Sequence, residues 1–329
     1  MHRRNAPAKP RRLQRSELAV PATSTHFFEK AARGPADVIF LDLEDAVSND
    51  KKDRARALAV EALNDIDWGD KTLAVRVNAL DTPWAYRDIV AVAEQCPRLD
   101  MILLPKPAVA ADIYVVETLL NGIEATIGRH DPIGIEALIE TAEGLCNVES
   151  IAASSDRLEA LIFGVGDFTL SVQARDPLTG GPNPRYTVLA APDEAGQRAR
   201  YWGDPWHFAL ARIVTACRAY GLRAIDGPFG DVRDEAGYRA SAMRASALGF
   251  EGKWAIHPSQ CQPANEVFSP DPSELAWAEQ VTAAMARAEA EGDGAVLVDG
   301  RLVDLAHLKM VRTILDRKAL IDGPRRGAR

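Results

Sequence analysis

Two acidic residues, Glu140 and Asp167, each follow an apolar run. IGIEALIETAEG (residues 133–144) climbs to Glu140, and LEALIFGVGDFTLS (158–171) climbs to Asp167. Such runs, followed by Gly or a helix start, read as parallel strands covered on both faces. Two carboxylates at two strand ends, one helix length apart, would meet at one rim of a sheet. That is the outline of a hard-cation site, since Mg²⁺ takes one or two protein carboxylates and completes its shell with water and substrate oxygens. The same residues have a structural reading: Glu140 caps a helix expected over Thr141 to Ala153, and Asp167 ends a strand. Glu136 and Glu143 are rival ligands. Strand parity puts Glu136, Leu138 and Glu140 on one face, whereas Glu143 falls in the helix.

Further elements would have to position these groups. SELAVPA, DVIFLDLEDAV, TLAVRVNAL and MILLPKP precede the two runs as strands, and RAIDGP and KWAIHP follow them. Helical patterns separate them, among them 82–94, Ala110 to Ile127 and Asp231 to Leu248. Eight strand signals alternating with helices, nearly all ending in polar residues, predict a (β/α)8 TIM barrel of the α/β class, with the βα loops building one functional rim. Asp42, Glu44, Arg76, Lys106, Glu140, Asp167, Asp226 and His257 would converge there. An open doubly wound sheet is the rival, but the first βα junction lacks GxGxxG. A Pro- and Gly-rich stretch of some thirty residues after Asp167 has the length of a lid or binding loop.

The expected boundaries are a disordered basic tail over 1–14, a catalytic barrel over 15–265 and a C-terminal helical and hairpin extension over 266–329. In the extension, VDG reads as a type I′ turn, making Asp299 a turn residue. With 329 residues, 47% of them hydrophobic, the chain can bury a large core. A formal charge of −8 argues against a nucleic-acid partner. No apolar run reaches the roughly eighteen residues a membrane helix needs, so no membrane association is expected. Four scattered cysteines without a CxxC pair fit reduced thiols and a cytoplasmic location.

The motifs SELAVPA with FFEKAA, FLDLEDAV, VRVNALDT, LLPK, IETAEG, GVGDF, IDGPFGD, GKWAIHPSQ and DGRLVD, in this order, resemble the malyl-CoA and β-methylmalyl-CoA lyases. These belong to the wider group of citrate lyase β subunits and HpcH/HpaI aldolases. The resemblance runs from about Arg15 to Ile321. It implies Mg²⁺ (with Mn²⁺ as a substitute) on Glu140 and Asp167, and Arg76 on the substrate oxygens. Glu44 and Asp45 would brace that arginine and the metal waters, and Lys30 would face the coenzyme A phosphates. Gly164 and Gly166 would lie in a turn whose amides help bind glyoxylate, and Asp226 and Pro228 would shape the thioester pocket. Asp299 would become an acid/base catalyst delivered to a neighbouring subunit, which implies a homotrimer or homohexamer.

The implied reaction is reversible cleavage of (S)-malyl-CoA or β-methylmalyl-CoA to glyoxylate and acetyl-CoA or propionyl-CoA through an enolate. Alternatives are an (S)-malyl-CoA thioesterase and a citrate lyase β-like citryl- or citramalyl-CoA lyase. The loop after Asp167 departs from the family pattern and lies beside the acyl pocket. Lys106 reads as a structural ion-pair partner and His257 as a packed, hydrogen-bonded residue.

Overall fold

The computed structural model describes residues 9–175 and 178–323. Eight parallel strands close into a barrel: β1 (Ser16–Pro21), β2 (Val38–Asp42), β3 (Thr72–Arg76), β4 (Met101–Pro105), β5 (Gly134–Ile139), β6 (Leu158–Phe163), β9 (Arg223–Asp226) and β10 (Gly252–Ala255). The order runs from β1 to β6, then β9 and β10, which returns to β1. Two short hairpins complete the strand set: β7 (Thr187–Leu189) with β8 (Arg200–Trp202), and β11 (Ala295–Val298) with β12 (Arg301–Asp304). The expected TIM barrel is the fold found.

Strand parity sorts the side chains into two layers. Phe40, Ala74, Leu103, Leu138, Ile162 and Trp254 fill the barrel interior, and alternate residues such as Ile39, Val75, Ile102 and Ile139 pack outward under the helices. Each large apolar side chain withdrawn from water contributes about 1.5–3 kcal/mol, so closure rests on both layers. The extension has its own core, in which Val281, Met285, Val298, Val303 and Val311 join helix Pro272–Glu291, the β11–β12 hairpin and helix Leu305–Asp322.

Four details differ from expectation. The helix expected over Thr141 to Ala153 breaks at Asn147 into Ala142–Cys146 and Val148–Ala152. Cys146, for which an apolar helix-like context predicts core packing, is exposed. The long loop after Asp167 is not structureless, since it carries the β7–β8 hairpin. Residues 1–8 lie outside the described residues, as do Arg325, Arg326 and Arg329, but Lys9 to Gln14 are held in place. Arg12 donates to Glu159 at 2.8 Å and Asp100 at 3.1 Å, and two buried carboxylates are reason enough to fix it there.

This segment closes the barrel floor. Gln14 donates to Glu17 (2.9 Å) and Glu136 (2.5 Å), and Arg223 donates to Gln14 (2.7 Å) and Glu159 (3.0 Å). Glu136 thus faces the interior, as parity requires, but serves the floor rather than the rim. Burial and then the neighbouring Glu136 push the Glu17 carboxyl well above the usual range. The protonated form of Glu17 is thereby favoured beside Glu136.

A carboxyl raised in the folded state stabilises the fold at low pH and loses that contribution as pH climbs through its folded value. Wild type should accordingly lose stability relative to Glu17→Gln above about pH 4, by up to about 1.4 kcal/mol per pH unit until Glu17 ionises. Urea melts of both proteins across pH 4–9 measure this, and parallel curves would refute it.

Candidate active site

β2 and β3 pair in register, with Asp42 opposite Arg76 at their C-terminal ends. Both side chains follow the interior parity of Phe40 and Ala74. Arg76 donates from Nε (2.8 Å) and Nη2 (2.7 Å) to the two oxygens of Asp42, a bidentate pair with both partners buried. Its Nη1 lies 3.1 Å from Glu44 and 3.5 Å from Asp45. Phe40 and Trp254 flank the guanidinium at 5.9 and 5.6 Å from their ring centres. Burial lowers the pKa of Arg76, but Asp42, Glu44 and Asp45 outweigh it and hold the group above its ordinary value. Of its five N–H groups, one on Nη2 remains for a further acceptor.

Burial raises Asp42, yet Arg76 and the amides of Glu44 and Ala46 bring it below the usual carboxylate range. Buried Lys52 fixes the same loop by donating to the carbonyls of Leu43 (2.9 Å) and Glu44 (2.7 Å).

Lys106 follows β4 in a left-handed backbone conformation, φ 53°, which a non-glycine residue keeps only when its surroundings enforce it. That turn aims its amide at Glu140 Oε1 (3.2 Å). Its ammonium contacts Glu44 and lies 2.7 Å from Asp167, 3.6 Å from Asp45 and 3.9 Å from Glu140. The ion-pair role expected for Lys106 is the one observed, and these acids hold its pKa above the ordinary value although burial lowers it.

Glu140 and Asp167 thus converge on one cationic nitrogen, but by different routes. Glu140 follows β5 directly, whereas Asp167 lies in the first turn of helix Val165–Ser171 and does not end a strand. Gly164 makes their approach feasible. A Cβ there would stand 2.4 Å from Glu140 Cβ and 2.6 Å from Glu140 Oε2, well inside contact distance. Phe168 packs edge-to-face with Phe163 and Trp206, ring centres 5.3 and 5.5 Å apart, which anchors the short helix. Burial pushes Glu140 well above the usual range, with Lys106 and Arg76 opposing. Burial also raises Glu44, against the same two cations.

Five carboxylates therefore face Arg76, Lys106 and, behind the loop, Lys52. This all-oxygen, electron-rich set suits a hard divalent ion. Among the described residues no three His, Cys, Asp or Glu side chains form a ready cage. The fit is thus to an ion held by two carboxylates whose other ligands are water and substrate.

The remaining expected site residues lie differently. Glu143 is exposed on its helix. The Gly164 amide donates to the Ile139 carbonyl (3.0 Å), so it is already committed, and Gly166 sits within the short helix. Asp226 points outward: one oxygen takes the ammonium of fully buried Lys253 (2.5 Å) and the other the Gly227 amide (2.9 Å). The Pro228 carbonyl packs on Gly180 at the root of the long loop. His257 is exposed and caps the turn Pro258–Gln260 through Ser259, so it is hydrogen-bonded but not packed.

Lys30 is exposed on helix Phe28–Arg33. Asp299 and Gly300, with φ 47° and 75°, form the expected two-residue turn between β11 and β12. That hairpin packs on the two extension helices, and helix Leu305–Asp322 meets residues 10–13 under the barrel floor, where Arg11 pairs with Asp316 (3.1 Å). Asp42, which the sequence places only on the shared rim, is the bidentate partner of Arg76, and its two-residue spacing from Phe40 puts it on the interior face.

Comparison with known proteins shows the family. The sequence model of the HpcH/HpaI aldolase/citrate lyase family matches residues 15–258. A Cereibacter sphaeroides protein named L-malyl-CoA/beta-methylmalyl-CoA lyase is 47% identical over 316 residues, covering 96% of this chain and 98% of its own. Another from that organism, named (3S)-malyl-CoA thioesterase, is 35% identical over 307 residues, covering 93% and 95%. Among solved structures, CitE from Mycobacterium tuberculosis in complex with magnesium, acetoacetate and coenzyme A matches with TM-score 0.69 and 28% identity, over 94% of this chain and 98% of that one. The chain belongs to the HpcH/HpaI aldolase/citrate lyase family.

Proposed function

We propose that this protein is a Mg²⁺-dependent carbon–carbon lyase that reversibly cleaves (S)-malyl-CoA, and its β-methyl relative, to glyoxylate and acetyl-CoA or propionyl-CoA. The observation that carries this reading is the convergence of Glu140 and Asp167 on one cationic nitrogen, in a cluster that Arg76 shares through Glu44. The malyl-CoA lyase name of the 47% identical relative gives the substrate class, and the magnesium and coenzyme A bound to CitE support the ion and the thioester.

In the cleavage direction the substrate hydroxyl loses its proton, the bond between the hydroxyl-bearing carbon and its CH₂ (or CH-methyl) neighbour breaks, and glyoxylate departs. The electron pair passes to the thioester as an enolate, which is then protonated on carbon. Glu140 and Asp167 would hold Mg²⁺, which when bound would supply Lewis-acid polarisation at the glyoxylate end. Negative charge grows on the thioester oxygen, and the free N–H of Arg76 is the donor we assign to it. Asp42 holds the planar guanidinium in a fixed orientation for that task, and this fixed charge costs no reorganisation during reaction.

The proton is moved by Asp299 of a neighbouring subunit in a homotrimer or homohexamer, since the hairpin that carries it packs within its own extension. The coenzyme A and acyl contacts expected from the resemblance are assigned to Lys30, Gly164, Gly166 and Pro228, whereas Asp226 is committed to Lys253 in the helix layer. Of these, exposed Lys30 is the group left for phosphate contact. Among the described residues no helix is long and apolar enough to cross a membrane.

A second reading, thioester hydrolysis, is favoured by the 35% identical thioesterase. Purified protein with Mg²⁺ and (S)-malyl-CoA separates the two: glyoxylate without free thiol is expected, and thiol without glyoxylate would establish the thioesterase. Arg76→Ala and Asp299→Ala should each abolish most turnover, while co-assembled subunits of both regain about one quarter of the wild-type rate through sites built from two intact halves. Failure to recover activity in verified mixed oligomers would place Asp299 outside a shared site. Gly164→Ala, by displacing Glu140, should lower kcat/KM by about 10²-fold and stability by about 1–3 kcal/mol, read by kinetics and thermal melts. Unchanged kinetics would show that Glu140 has room to move.

A further inference from the structure

Lys253 is fully buried, and its partner Asp226 is nearly so. Parity explains why they lie outside the barrel lumen: Ile225 and Trp254 face inward, so Asp226 and Lys253 face the helix layer. Asp226 lines a pocket between helices His207–Tyr220 and Glu235–Leu248, together with Leu210, Ser241 and Arg244. A buried ion pair of this kind is seldom more stabilising than apolar residues of the same volume. Its connections give it another use.

The Lys253 ammonium donates to Asp226 (2.5 Å) and to the Gly227 carbonyl (2.8 Å), and the Gly227 amide donates to Asp226 (2.9 Å). Gly227 is thereby clamped at both ends of its own residue. It lies so close to the end of β6 that a Cβ would stand 2.0 Å from the Phe163 carbonyl oxygen and 3.5 Å from the Val165 nitrogen. The next residue after Phe163 is Gly164, whose surface is filled by Glu140, and Val165 opens the helix that carries Asp167. A continuous set of contacts therefore runs from Lys253 and Asp226, through Gly227 and the Phe163–Val165 backbone, to both carboxylates of the candidate cation site.

We propose that Lys253 and Asp226 are positioning residues, a buried strut that presses Gly227 against the 163–165 backbone and so fixes the separation of Glu140 and Asp167. This inference rests on the metal reading above for its functional consequence, and on geometry alone for the strut. Neither residue touches the reacting atoms. Supporting groups of this sort typically change metal affinity about 10–100-fold when removed.

Two variants test it, Asp226→Asn and the double change Lys253→Met with Asp226→Leu. The double variant exchanges the pair for apolar side chains and should melt near wild type; Asp226→Asn keeps the shape and decides the matter if the double variant does not fold. Hydrogen exchange is read in metal-free protein, and Mn²⁺ binding is titrated by electron paramagnetic resonance without substrate. Amides of 164–171 should exchange at least about 10-fold faster and Mn²⁺ should bind about 10-fold more weakly, with exchange in β4 unchanged. Wild-type exchange and wild-type Mn²⁺ affinity in the folded variants would overturn the strut. Absence of Mn²⁺ binding to wild type would overturn the metal reading, while the exchange measurement still judges the strut.

Discussion

Mutual repulsion among five carboxylates on one barrel rim is the constraint to which the surrounding structure answers. Two unit charges 4 Å apart at a protein surface interact by about 4 kcal/mol, so such a cluster is unstable without fixed cations. Asp42 takes the guanidinium of Arg76 in a bidentate pair, Lys106 reaches into the middle of the remaining four acids, and Lys52 pins the loop from behind. Each depends on backbone geometry: strand register for the first, a left-handed residue for the second, carbonyl placement for the third. Glu140 and Asp167 then need a bare glycine between them, because any side chain at 164 would occupy the carboxylate's place.

The same physics explains what the sequence makes legible. Apolar runs of strand length, ending in charged residues and alternating with helical periods, are local features, and all eight barrel strands follow from them. The two-residue spacing from Phe40 to Asp42 is local as well, but that Asp42 stands opposite Arg76 depends on parallel register between β2 and β3, which no local pattern encodes. Asp167 is instructive in another way. Gly164 marks the end of β6, but Val165 and Phe168 keep the following residues apolar enough to read as strand up to Asp167; the backbone turns at Gly164, where Glu140 and the Gly227 backbone crowd it.

The floor and the rim solve opposite problems with similar residues. At the floor, burial favours the protonated form of Glu17 beside Glu136, and Arg12 and Arg223 pair with Asp100 and Glu159. A neutral acid suits a packed plug. At the rim Lys106 and Arg76 oppose the effect of burial on Glu140 and Glu44, and the acids present the oxygen donors that a site for a hard ion requires.

The long loop between Asp167 and His207 is tied down at its root, where Gly180 packs on the Pro228 carbonyl and Gly230 donates to the Thr179 carbonyl at 2.8 Å. Beyond that tether, lengthening the loop costs little, about 0.6 kcal/mol for each doubling. Variation in the loop is thereby insulated from Gly227 and the acids it supports. A chain built this way can accumulate insertions and substitutions in that one segment while the acid cluster at the rim keeps its geometry.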